Sequence, residues 1–90
     1  MIDLRGQVVE STAGRDKARY FVIVGACDEA HVYIVDGVTH KACRPKKKKL
    51  KHLRFCQKCL DMDKKLEGGA GTLDAYVRKG LAAILRQSKI

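Results

Sequence analysis

Four consecutive ammonium groups, Lys46 to Lys49, are the densest chemical feature of this sequence. They stand inside a longer cationic segment: Lys41, Arg44, Lys46, Lys47, Lys48, Lys49, Lys51, Arg54 and Lys58 are nine cations with no Asp or Glu among them. Of the 19 Lys and Arg, the ten outside this segment are balanced by 10 Asp and Glu, so the net charge of +9 equals the charge of the segment. A lysine run between Pro45 and an apolar stretch is not core material. It is expected to be a solvated loop anchored at both ends, serving either solubility or contact with phosphates. Lysine supplies a point charge more than base recognition, so such a loop would position a polyanion without reading its sequence. Contact with about five or six phosphates would give a log-log salt slope of about −4 to −5 on duplex nucleic acid. The charge makes nucleic acid the first partner class and an anionic membrane surface the second.

Further cations flank the run. Arg15 and Lys17 fall in a first turn and Arg19 opens the next strand; they form either a second cationic contact on the same rim or an exposed turn in which Asp16 pairs locally. His52 and Arg54 flank Leu53 and share a strand face, which assigns both to the same contact as the lysines. Tyr20, Tyr33 and Phe55 are either stacking platforms for unpaired bases or half-buried packing residues.

The spacing His40-x2-Cys43-x12-Cys56-x2-Cys59 imitates the paired ligands of a tetrahedral zinc site. Against it, His40 to Cys43 reads as strand without a knuckle glycine, and Cys56 and Cys59 straddle a strand-to-helix junction; the competing reading is small buried thiols. No metal or other cofactor is therefore expected, and a redox pair at Cys56 and Cys59 lacks the strand-helix setting such pairs use. Gly68, Gly69, Ala70 and Gly71 are not followed by Lys-Ser or Lys-Thr, so they are a linker and no phosphate loop. His31, His40 and His52 have no adjacent acid and nucleophile, and no paired carboxylates stand out, so the chain is not expected to be an enzyme.

The elements that must hold these residues follow from hydropathy and turn chemistry. Ninety residues make one small domain with a thin core. Strands are expected at Gly6 to Ser11, at Arg19 to Gly25 with its dense aliphatic run, and at Val32 to Val35, closed by the hairpin signal Asp36-Gly37. Gly14 is the expected positive-φ residue of the first turn. A fourth strand from Val38 to about Cys43 would stop before Pro45, and a fifth would run from Leu50 to Phe55. Five short strands joined by tight turns match a small β-barrel, since closure removes exposed edges. From Gln57 the residues favour a short helix stopped by the glycines, and Thr72 then caps a second helix with Asp74 in its first turn. Leu73, Tyr76, Val77, Leu81, Ile84 and Leu85 form one apolar stripe on that helix, expected to dock on its own barrel, with a partner surface as the alternative. No apolar run approaches the roughly 20 residues that span a bilayer, and Met1 to Arg5 carry no apolar signal core. A cytoplasmic protein with reduced thiols is the resulting expectation.

Gly6, Gln7, Val8, Val9, then Gly14, Arg15, Asp16, Lys17, then Phe21, Val22, Ile23, Val24 resemble the KOW motif, a strand, glycine-centred turn and strand within an SH3-like barrel. Val32 to Gly37 followed by Arg44 to Leu53, ending Leu50, Lys51, His52, Leu53, is similar to the KOW-type large-subunit ribosomal proteins of the fourteen-e class and their small bacterial relatives. The resemblance covers roughly residues 5 to 55, and Ala18 stands where many KOW turns carry a second glycine. Together with the helices read above, it gives the expectation of a mainly β fold with C-terminal α: an SH3-like KOW barrel of about five strands over residues 1–56, followed by two helices over 57–90. The resemblance also implies RNA binding on the ribosome, with rRNA and the large subunit as partners and a monomer when free. The expected RNA-contacting residues are Arg15, Lys17, Arg19, Arg44, Lys46, Lys47, Lys48, Lys49, Lys51, His52 and Arg54. Two alternatives stay open: a zinc-stabilised adaptor built on His40, Cys43, Cys56 and Cys59, and a transcription-associated KOW module that binds RNA polymerase.

Overall fold

The computed structural model describes residues 4–60 and 69–87. Five antiparallel strands, β1 (Gln7–Ser11), β2 (Tyr20–Ala26), β3 (His31–Val35), β4 (Lys46–Lys49) and β5 (Leu53–Cys59), form one open sheet in the order β4-β3-β2-β1-β5. One helix, α1 (Gly69–Gln87), follows. The first three strands lie where their β-branched residues put them. Strand alternation splits their side chains between two cores on opposite faces of the sheet. Val8, Val22 and Val35 face α1 and pack with its Val77 and Leu81, whereas Val9, Phe21, Ile23, Val32, Ile34 and Leu53 pack together on the other face.

The β1–β2 turn carries two residues at positive φ, Gly14 (φ 79) and Ala18 (φ 71). Gly14 is the expected one. Ala18 adopts the left-handed conformation without being glycine, at a cost of about 1–2 kcal/mol, and is fixed there by its N–H donating to the Ser11 carbonyl at 2.8 Å.

The second half departs from expectation in several places. Val38 to Cys43 is a turn and no strand, because the Asp36 carboxylate draws in the N–H groups of Val38 and His40, both at 2.9 Å, and the Thr39 hydroxyl at 2.8 Å. A short acidic side chain that satisfies three nearby donors removes them from any ladder. The lysine run is itself the fourth strand: Lys46, Lys47, Lys48 and Lys49 pair with Ile34, Tyr33, Val32 and His31. It is an edge strand, where lysine is tolerated and blocks further pairing. Leu50–His52 is a single 3-10 turn, and β5 runs on to Cys59, past the expected boundary at residue 56, with an irregular register against β1 and Gln57 at φ 59. No ladder joins β4 to β5 among the described residues, so backbone pairing leaves the sheet open.

Of the first expected helix, Gln57 to Cys59 belong to β5 and the remainder lies outside the described residues. The helix that is seen starts at Gly69, so the glycines expected as a linker are partly helical and Thr72 lies inside α1 and is no cap. Asp74 is correspondingly not a first-turn acid; it is buried, and its Oδ1 accepts the Ala42 N–H at 2.6 Å. The apolar stripe docks on its own sheet, with Val77 and Leu81 buried, Leu73, Tyr76 and Ile84 half-buried against the same core, and Leu85 exposed.

Candidate nucleic-acid interface

Alternation along β4 divides the lysine run into two pairs. Lys46 and Lys48 stand opposite Ile34 and Val32, on the face away from α1, and are half-buried. Lys46 Nζ lies 3.0 Å from Asp16 Oδ2, and Lys48 Nζ donates to the Ala13 carbonyl at 3.1 Å. Both contacts reach the β1–β2 turn. These two ammonium groups therefore tie the edge strand to a turn that the backbone ladder does not reach. Lys47 and Lys49 stand opposite Tyr33 and His31 on the other face and are exposed.

Asp16 is the hinge of this arrangement. Its side chain is nearly buried, with Lys46 at one oxygen and His40 Nε2 3.8 Å from the other. The Lys46 contact, assisted by the charges of His40 and Lys48 and opposed by burial, holds the Asp16 carboxyl below its ordinary value of 3.8. His40 also packs against the Phe21 ring, with centroids 5.8 Å apart. Asp16 thus pairs across the fold with Lys46 and not with a cation of its own turn. Its carboxylate is consumed by Lys46, and Arg15, Lys17 and Arg19 remain exposed on a turn docked beside β4.

Arg44 and Lys41 extend the rim from the loop before β4, lining an open pocket of about 590 Å³ with Thr39, His40, Cys43 and Lys46. Lys51 lies at the far end of β4 in the 3-10 turn, whose Leu50 N–H donates to the Ala30 carbonyl at 2.8 Å. Among the described residues, no carboxylate lies within ion-pair distance of Arg15, Lys17, Arg19, Lys41, Arg44, Lys47, Lys49 or Lys51.

Other expected contacts lie elsewhere. Arg54 sits on β5 at the opposite edge, opposite Glu10 of β1, and its guanidinium donates through Nε, at 2.8 Å, and through a second nitrogen to the Glu10 carboxylate. That pairing raises the Arg54 pKa and leaves Glu10 to compete with any phosphate. His52 is half-buried, and its carbonyl accepts the Thr12 N–H at 2.9 Å. Of the three aromatics, Tyr20 packs at the core under α1, Phe55 is exposed on β5, and Tyr33 is beside Lys47. The neighbouring Cys27 side chain raises the Tyr33 pKa.

The four candidate zinc ligands are spread out. His40 faces Asp16, and Cys43 is exposed in the loop before β4. Cys56 and Cys59 are on β5, where burial pushes the Cys56 thiol pKa up. Among the described residues no three His, Cys, Asp or Glu side chains gather as a metal site requires. Among the same residues no helix is long and apolar enough to cross a membrane.

Sequence reasoning missed the division of labour within the lysine run and the role of Asp16 in docking the first turn. The only available signal was the period of two, and a run of identical residues has no hydropathy contrast in which that period is visible. Compared with known proteins, the chain matches no family model and no curated protein.

Proposed function

We propose that the protein is a non-enzymatic, cytoplasmic RNA-binding protein that associates with the ribosome through rRNA of the large subunit. In this reading the five strands are those of an SH3-like barrel of KOW type, acting as a monomer when free. The observation that carries it is the docking of the β1–β2 turn on β4 through Lys46–Asp16 and Lys48–Ala13, which sets the turn carrying Arg15, Lys17 and Arg19 beside the edge strand that carries Lys47 and Lys49. Cations carried on two tied elements keep fixed relative positions, and that favours a polyanion whose own charges are fixed, as in folded RNA. The positive φ of Ala18, at the position where KOW turns often carry glycine, supports the same reading.

Contact with about five phosphates predicts a log-log salt slope of about −3.5 on single-stranded and −4.5 on duplex RNA. Titrating a fluorescently labelled rRNA fragment with the protein at several salt concentrations measures it. A slope near zero would remove the phosphate role. Sucrose-gradient profiling of a lysate tests the location: the protein is expected with large subunits, and sedimentation with RNA polymerase instead would transfer the reading to a transcription-associated module.

A further inference from the structure

The turn between β2 and β3 carries a second constellation that the phosphate rim does not use. Asp28 Oδ1 accepts the N–H groups of Ala30 and His31, each at 2.8 Å, and lies 2.9 Å from His31 Nδ1. The His31 contact, with the Ala30 amide, holds the Asp28 carboxyl below its ordinary value of 3.8, so at neutral pH it is ionised and can only accept. Nδ1 therefore donates to Asp28, and in the uncharged form of the ring this tautomer presents Nε2 as a lone-pair acceptor. No hydrogen-bond partner occupies Nε2 among the described residues, and the side chain is 25 % exposed.

His31 lines an open pocket of about 480 Å³ with Ala30, Lys49, Leu50 and Lys51. Lys49 is its direct cross-strand neighbour, and the Leu50 N–H to Ala30 carbonyl bond ties the segment that carries Lys49 and Lys51 to the β2–β3 turn. Two ammonium groups suit a phosphate. The Nε2 lone pair does not, because a phosphodiester has no proton to give. It suits a hydroxyl, and the hydroxyl nearest a backbone phosphate in RNA is the ribose 2′-OH, which DNA lacks.

We propose that this pocket takes one ribonucleotide, with Lys49 and Lys51 at its phosphate and His31 Nε2 accepting the 2′-hydroxyl, so that His31 makes the protein select RNA over DNA. Asp28 is a positioning residue that fixes the tautomer. The inference rests on the RNA-binding reading above.

The test uses one oligonucleotide sequence as RNA, as DNA and as 2′-O-methyl RNA, titrated with the full chain at fixed salt. The wild type is expected to bind RNA about fivefold more tightly than either analogue, the scale of one exposed neutral hydrogen bond. His31→Phe should bring RNA affinity down to that of DNA while leaving DNA affinity and the salt slope unchanged, with a cooperative urea transition showing that the variant is folded. His31→Gln, which keeps an acceptor, should retain part of the preference. Equal wild-type affinity for all three probes, or an unchanged preference in His31→Phe, overturns the inference while leaving phosphate binding in place. Failure of wild type to bind any of the three overturns the RNA-binding reading with it.

Discussion

Asp16 is the one acid of the β1–β2 turn, and at 6 % exposure it depends on Lys46 for its charge balance. Its folded pKa is depressed, so the stability it contributes is fully present above the ordinary carboxylate value of 3.8 and is lost as pH falls through that value towards the lower folded one. Asp16→Asn is expected to cost about 1–2 kcal/mol at pH 7 and to weaken the acid dependence between about pH 5 and 3. Urea unfolding across that range measures both. Asp36 and Asp28 also have depressed values, so part of the acid dependence should survive in the variant. At Asp36 burial works against the charge, and the His40 and Val38 amides with the Thr39 hydroxyl outweigh it. The identity of Asp16 was legible in the sequence and its partner was not, because Lys46 is 30 residues away and only the packing of β4 beside the turn brings them together.

The lysine run shows what an element adds to its residues. As a solvated loop, its four lysines would be equivalent; as edge strand β4, they alternate between a half-buried pair and an exposed pair. Replacing Lys46 and Lys48 by alanine should cost about 1–2 kcal/mol by removing the Asp16 ion pair and the Ala13 hydrogen bond. Replacing Lys47 and Lys49 should change stability by less than about 0.5 kcal/mol and reduce the RNA salt slope by about 1.5, two phosphates' worth. Parallel urea and salt titrations separate the pairs, and equal effects from the two double variants would mean the alternation has no functional meaning. The run was easy to find and hard to place. Strand propensity argues against four lysines, and pairing to Ile34, Tyr33, Val32 and His31 overrides it because only the edge is asked to carry charge.

At the scale of the whole molecule, α1 covers the Val8, Val22 and Val35 face and also fixes the loop leading into β4. A Cβ at Gly37 (φ 79) would collide with the Asp74 carbonyl oxygen and sit 3.1 Å from Arg78 Cβ, so the helix lies directly on that turn, and the Asp74 carboxylate holds Ala42 from the same side. Helix, loop and edge strand are thus one unit. Leu81→Asp, which places a carboxylate in that interface at a 6 % exposed position, is expected to cost about 3 kcal/mol or more. Urea unfolding reads the loss, and wild-type stability in this variant would mean the helix contributes no core. RNA affinity measured below the variant's transition should fall too, because the loop carrying Lys41 and Arg44 loses its support.

The sequence by itself determined the class of the molecule. The β-branched runs at Val8–Val9, Phe21–Val24 and Val32–Val35 set three strands, the helical stripe through Val77 and Leu81 set a docked helix, and the nine clustered cations set the charge of the middle segment. These are local or compositional properties, which short-range hydropathy and charge express directly. Only the tertiary structure decided which cations are free. Whether Lys46 faces Asp16 or solvent, whether Arg54 meets Glu10, and whether the Val38 to Cys43 segment joins a ladder or bends around Asp36 all depend on partners brought together by strand pairing and side-chain competition. Those contacts have no periodic signature in the chain, because they form between elements and not along them.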